Sequence, residues 1–153
     1  MFVKQKTITI EVPPEAVYDY VSDISRHTEW ARHNLIIRKV GEGRYESSTE
    51  VMHLEPKSVL VVETTDRPRR FSFISNDSIA GKYRWYFDIT GVGKGSKVTY
   101  GLERLEASLT VKLVQPWLLW PIDGRGGVMT GLANIKRNLE ADAARPTPQP
   151  QLR

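Results

Sequence analysis

Three histidines, His27, His33 and His53, are the only imidazoles in the chain, and it contains no cysteine. A metal centre needs three or four converging donors, and no two of these histidines sit at ligand spacing, so no metal site is expected. The lack of thiols removes disulfides, thiolate metal sites and cysteine nucleophiles, and it suits a reducing, cytoplasmic setting. No Gly-x-Ser-x-Gly elbow occurs, and no Ser, His and Asp follow in an order that neighbouring strands would bring together. The carboxylates Glu46, Glu50, Glu63 and Asp88 fall on the polar faces of their segments, so no acid pair for proton transfer is evident. His53 is the one acid–base group that shares parity with Tyr45, Ser47, Thr49 and Val51. A satisfied or exposed histidine at a strand end is the simpler reading of it, and catalysis the sharper one.

Glycine-rich stretches offer little more. Gly91-Val92-Gly93-Lys94-Gly95 lacks the Gly-Lys-Ser/Thr ending of a phosphate loop and joins two strands, so it reads as a hairpin turn. Gly124-Arg125-Gly126-Gly127 precedes a helix whose amides could hold an anion, but no parallel strand leads into it. No cofactor is therefore expected. The aromatic set is richer: Tyr45, Phe71, Phe73, Tyr83, Trp85, Phe87 and Tyr100 share inward parity. Apolar walls with a few polar groups are how small-molecule pockets are built. Ser47, Thr49, Ser75, His53 and the tyrosine hydroxyls are the groups that would orient a mostly apolar ligand. Residues 109–123 carry Trp117 and Trp120 beside Pro116 and Pro121, which rules out an uninterrupted helix. A packed lid at the pocket mouth is the first expectation there, and a patch touching a membrane or protein partner the second.

The elements that would hold these residues follow from periodicity. Residues 2–12 place Lys4, Lys6, Ile8 and Ile10 on one face of a strand. Pro13-Pro14 stops it, and Pro14 suits the first turn of a helix, with Glu15 favourable to its dipole. Val17, Tyr20 and Val21 lie at helical spacing, and Ser22-Asp23 can end that helix and cap a second short one through Trp30. His27 and His33 are expected to be exposed near these helices. Residues 34–40, 44–54, 58–65, 71–75, 79–90 and 96–106 read as six further strands joined by short turns, the economical topology being an antiparallel sheet. One sheet face meets water and the other needs cover. Residues 127–144, with Val128, Leu132, Ile135 and Leu139 near a 3.6 period, supply it as an amphipathic helix. Residues 1–144 form one domain in this reading, and 145–153, with three prolines, a flexible tail.

At 153 residues, 40% hydrophobic and 26% charged, the composition is that of a globular domain. The formal charge of +4 comes without a basic stripe interleaved with aromatics, so no nucleic-acid role is expected. The start of the chain lacks the apolar run of a signal peptide, and nowhere do about 20 apolar residues occur together.

The element order resembles that of the SRPBCC superfamily of START-like lipid carriers, pollen-allergen-like binders and polyketide cyclase/dehydrase proteins. The likeness rests on several stretches. They are the opening strand with Pro13-Pro14-Glu15-Ala16-Val17-Tyr18-Asp19-Tyr20-Val21-Ser22-Asp23, Trp30 after the second short helix, and Asp66-Arg67-Pro68-Arg69-Arg70-Phe71. The pair Tyr83-Arg84-Trp85-Tyr86-Phe87 and Gly95-Ser96-Lys97-Val98-Thr99-Tyr100, and then residues 132–140, extend it to nearly the whole chain. The resemblance implies an α+β helix-grip fold: a seven-stranded curved antiparallel sheet, two short helices after strand one, and a long C-terminal helix covering the concave face. It implies an internal site for a hydrophobic small molecule such as a lipid, quinone or polyketide, and the inward aromatics read from parity, with Trp117 and Trp120 of the run at its mouth, are the candidate lining. A cyclase- or dehydratase-like enzyme using His53 or a tyrosine, and a module docking on a protein or peripherally on a membrane, are the alternatives. Fold alone does not decide among them.

Overall fold

Alternation in the opening segment produces strand β1 (Val3–Ile10), one edge of a seven-stranded antiparallel sheet in this computed structural model. The structure describes residues 3–31, 35–49, 55, 57–78, 81–106, 109, 113 and 130–145. The other strands are β2 (Ile36–Gly41), β3 (Arg44–Ser48), β4 (Lys57–Asp66), β5 (Arg70–Asp77), β6 (Gly81–Val92) and β7 (Gly95–Glu106). Their order across the sheet is β1-β7-β6-β5-β4-β3-β2. Consecutive strands from β2 to β7 are antiparallel neighbours, and β1 closes onto β7. The turn between β6 and β7 has Gly93 at φ +59°, the left-handed region that glycine enters without steric cost.

Two short helices carry the chain from β1 to β2 at the opposite edge. Helix α1 (Pro14–Ser22) has proline in its first turn, where the missing N–H costs nothing. Asp23 then caps a 3-10 helix (Ile24–Glu29), accepting from the Ser25 backbone N–H at 3.2 Å and from the Ser25 hydroxyl. Helix α2 (Thr130–Ala143) turns Leu132, Ile135 and Leu139 into the core, as their spacing requires.

Opposed residues on neighbouring strands share a face, so the register identifies the concave side. Ile10 lies beside Ser96, Phe71 faces Phe87, and Phe87 faces Tyr100. Val17, Tyr18, Tyr20 and Val21 of α1 cover this end of the sheet, each buried. Full burial of one such apolar side chain contributes roughly 1.5–3 kcal/mol, so this layer dominates the packing energy. Irregularities in register, between Val62 and Thr64 on β4 and between Lys82 and Tyr83 on β6, are the kind that bend a strand and add twist.

On the convex side Arg84 bridges Glu63 and Glu103, with N–O distances of 2.7 Å to each, and Ser72 donates to Glu63 at 2.8 Å. The hydrogen bonds from Arg84 hold the Glu63 carboxyl below the ordinary carboxylate range. Tyr86 has the outward parity that alternation gives it, yet it is buried. Its ring lies across Gly101, where any Cβ would collide with it, while the Arg70 guanidinium stacks 4.9 Å from its centroid and Gln5 accepts its hydroxyl proton at 2.9 Å.

One described boundary differs from periodicity. Pairing of β3 ends at Ser48, opposite Lys57 where β4 begins, so Thr49 lies beyond the ladder although alternation runs on through it. Residues 50–54, 79–80 and 127–129 and the tail from 146 onward lie outside the described residues, and from Gly81 onward β6 runs as alternation requires.

Candidate functional site

Five of the expected inward aromatics form one layer on the concave face. Phe87 and Tyr100 stack with centroids 4.4 Å apart and planes 6° from parallel. Trp85 stacks on Tyr100 at 5.9 Å and on Phe73 at 6.2 Å, and Phe71 lies 6.0 Å from Phe73. Trp30 meets both Phe87 and Tyr100 at 5.9 Å, nearly at right angles, the arrangement aromatic quadrupoles prefer.

The layer is graded. Phe71 and Phe87 are 1% and 0% exposed at the end beneath α1, with Phe71 edge-on to Tyr18, so they pack as core. Toward the other end Trp85 is half-buried and its indole N–H donates to the Ser75 hydroxyl at 2.8 Å. Ser75 stands opposite both Tyr83 and Leu60. Tyr45 and Ser47 on β3 face the same side, opposite Leu60 and Ser58, and both stay half-buried, as does Thr49. Burial raises the Tyr83 hydroxyl pKa, with Asp77 adding to the rise and Arg104 opposing it, so it remains a neutral donor. His53, Trp117 and Trp120, and also His33, lie outside the described residues.

His27 corrects the expectation of an exposed side chain: it is 4% exposed. The segment coils as a 3-10 helix, in which residues three apart eclipse one another, so Ile24, His27 and Trp30 all turn inward. The His27 Nε2–H donates to the Val21 carbonyl at 2.7 Å, and the ring lies 4.6 Å from Trp30 and 5.4 Å from Phe73. Desolvation drives its pKa from 6.5 to about 4, against smaller upward pulls from that hydrogen bond and from Asp23. It is therefore a neutral wall residue near pH 7.

Trp30 was legible as a family landmark but not as part of this layer; the three-residue spacing from Ile24 through His27 was the available signal. Its carbonyl accepts from Asn134 at 3.0 Å, and Gly131 lets α2 pass directly against the indole. The Trp30 Nε1–H is the one buried side-chain nitrogen or oxygen among the described residues without a hydrogen-bond partner. Among the described residues no cluster of His, Asp or Glu is placed to hold a metal ion. No helix among them is long and apolar enough to cross a membrane.

A curved antiparallel sheet gripping a C-terminal helix around an aromatic layer defines the helix-grip class. The chain belongs to the polyketide cyclase/dehydrase and lipid-transport family, whose model matches residues 1–140. A conserved protein from Geobacillus kaustophilus has a similar structure, with a TM-score of 0.75 at 13% identity over 92% of this chain and 97% of that one. A protein from Thermus thermophilus superposes with a TM-score of 0.69 at 17% identity, covering 94% of this chain and 100% of that one. A START superfamily protein from Mycobacterium smegmatis gives 0.61 at 12% identity, over 91% and 97%. At these identities the likeness is one of fold. No curated protein matches the chain significantly.

Proposed function

We propose that the protein binds and carries a hydrophobic small molecule against the aromatic layer, without metal or nucleotide. The observation that carries this reading is the gradient along the layer. Phe71 and Phe87 are sealed, whereas Trp85, Tyr45, Ser47 and Thr49 remain half-buried at the end where hydroxyls gather. Apolar ligand surface covering these side chains would contribute about 25 cal/mol per Å², and the Ser47, Thr49 and Tyr83 hydroxyls would set its orientation. The family, named for polyketide cyclases, dehydrases and lipid transport, supports a hydrophobic ligand in general terms. Catalysis draws less support from the described inward groups: His27 is neutral with Nε2 committed to Val21, and Tyr83 is held protonated.

Native mass spectrometry of the purified protein, followed by organic extraction, tests the reading. A stoichiometric apolar molecule released on denaturation is expected. A protein that is always empty and takes up no hydrophobic probe would overturn it.

A second reading, docking on a membrane surface, is supported by Leu109 and Leu113. They stand four residues apart in the sequence and are 76% and 77% exposed.

A further inference from the structure

Alternation places Ile10, Ile8, Lys6 and Lys4 on the concave side of β1, so its inward row turns from apolar to cationic. The register shows what each lysine stands beside. Lys6 ends the row Tyr100, Phe87 and Phe71, and Lys4 ends the row Leu102, Trp85 and Phe73. One row further along, Arg104 of β7 faces Tyr83, and its charge acts on the Tyr83 hydroxyl. Three cations thus occupy three successive rows on the β1–β7 flank of the aromatic layer.

This flank is open to water. Lys6 is exposed although Tyr100 beside it is 3% exposed, and Lys4, Arg104 and Trp85 are half-buried. The hydrogen bonds from α2 to this edge fall at Thr9 and Glu11, on the far side of Ile8. The two faces also differ in charge balance. On the convex face Arg84 is matched by Glu63 and Glu103, Arg70 by Asp88 and Arg38 by Glu46. The three concave rows contain no carboxylate; Asp77 stands one row beyond Ser75 on β5. Inward lysines on an edge strand discourage pairing with foreign strands, but Arg104 lies on an interior strand, where that purpose does not apply.

We infer that Lys4, Lys6 and Arg104 receive an anionic head group, so that the carried molecule is an amphipathic acid. Its carboxylate or phosphate sits among the cations and its apolar body lies against Trp85. This deepens the proposed carrier function and rests on it. Charge-assisted hydrogen bonds to an anion are about twice as strong as neutral ones, so a neutral molecule of the same length forgoes the larger polar contribution.

Decanoate and 1-decanol share an apolar chain and differ in the charge of the head; decyl phosphate is run in parallel against the same alcohol. Binding is followed by calorimetry and by the Trp85 indole N–H resonance of 15N-labelled protein, assigned by its loss in Trp85→Phe. At least one acid is expected to bind roughly tenfold tighter than decanol and to shift the Trp85 signal. Lys4→Gln/Lys6→Gln should remove most of that preference and leave decanol binding unchanged. Lys94→Gln/Lys97→Gln, which removes the same charge from exposed positions off the concave face, should keep it. Equal binding of acids and alcohol overturns the head-group assignment and leaves the carrier reading intact. A preference lost equally in both double variants reduces it to bulk charge and overturns the assignment too. Binding of no probe also overturns it, and the carrier reading falls as well only if organic extraction releases no apolar molecule. The comparison in the unsubstituted protein decides the matter even if Lys4→Gln/Lys6→Gln folds poorly.

Discussion

The His27 ring has exchanged water for one hydrogen bond to the Val21 carbonyl and for contact with two aromatic rings. That exchange makes folding sensitive to pH, with a definite sign. Its folded pKa, about 4, lies below the ordinary 6.5. Above pH 7 both folded and unfolded chains keep the ring neutral, and its contribution to stability is complete. Below about 6.5 the unfolded chain takes up a proton that the folded chain refuses, and stability falls until the pH nears 4. The loss from this group is ~3 kcal/mol. In His27→Gln the side-chain amide can still donate to Val21 but does not titrate. Urea unfolding at pH 7 and pH 4.5 should therefore show the parent protein losing ~2–3 kcal/mol more than the variant. Equal losses would remove His27 as the source. Nothing in its residue type disclosed this burial; a histidine is read as exposed until the turn that carries it is known.

Strands were legible because alternation is a local property. Tyr83, Trp85, Phe87 and Ile89 lie on one face of β6, as period two demands, and Val98, Tyr100 and Leu102 answer them on β7. Strand ends were less legible because alternation does not reveal where pairing stops: β3 pairs through Ser48, opposite Lys57, and Thr49 lies outside the ladder. The 3-10 helix was legible as a short helix but not by its period, which is why Ile24, His27 and Trp30 were not seen as one inward row. How α2 docks depended on contacts far apart in sequence. Lys136 donates to the Thr9 carbonyl at 2.8 Å and Glu140 accepts from the Glu11 N–H at 3.0 Å, so two helix side chains cover the free edge of β1 near its end. At the other end of α2 a Cβ on Gly131 would lie 2.9 Å from Cε3 and 3.0 Å from Cζ3 of Trp30. Alanine there gains up to ~1 kcal/mol of helix propensity, less so close to the helix start, whereas overpacking a rigid, enclosed ring costs ~1–3 kcal/mol. The second effect should win. Gly131→Ala is expected to lower stability by ~1 kcal/mol in chemical denaturation, and Gly131→Val by more. A variant as stable as the parent would mean that α2 can move off the indole.

Across the whole molecule, the aromatic interior and the charge balance point to different surroundings for ligand and protein. The formal charge is +4, and Leu109 and Leu113 present apolar side chains to the outside. A protein that carried apolar molecules would have to collect and deliver them where they concentrate, and a cationic protein with two exposed leucines is suited to an anionic lipid surface. The two contributions are separable. Attraction of net charge is screened over about 8 Å at physiological ionic strength and fades as salt rises, whereas burial of leucine does not. Co-sedimentation with vesicles containing phosphatidylserine should therefore show binding that weakens but persists in about 0.5 M salt. The double variant Leu109→Ser/Leu113→Ser, which changes only exposed positions and so should fold as the parent does, is expected to bind about tenfold more weakly at any salt concentration. Binding that vanishes in salt and ignores the substitutions would reduce the membrane contact to bulk charge. No binding at all would leave Leu109 and Leu113 without this role.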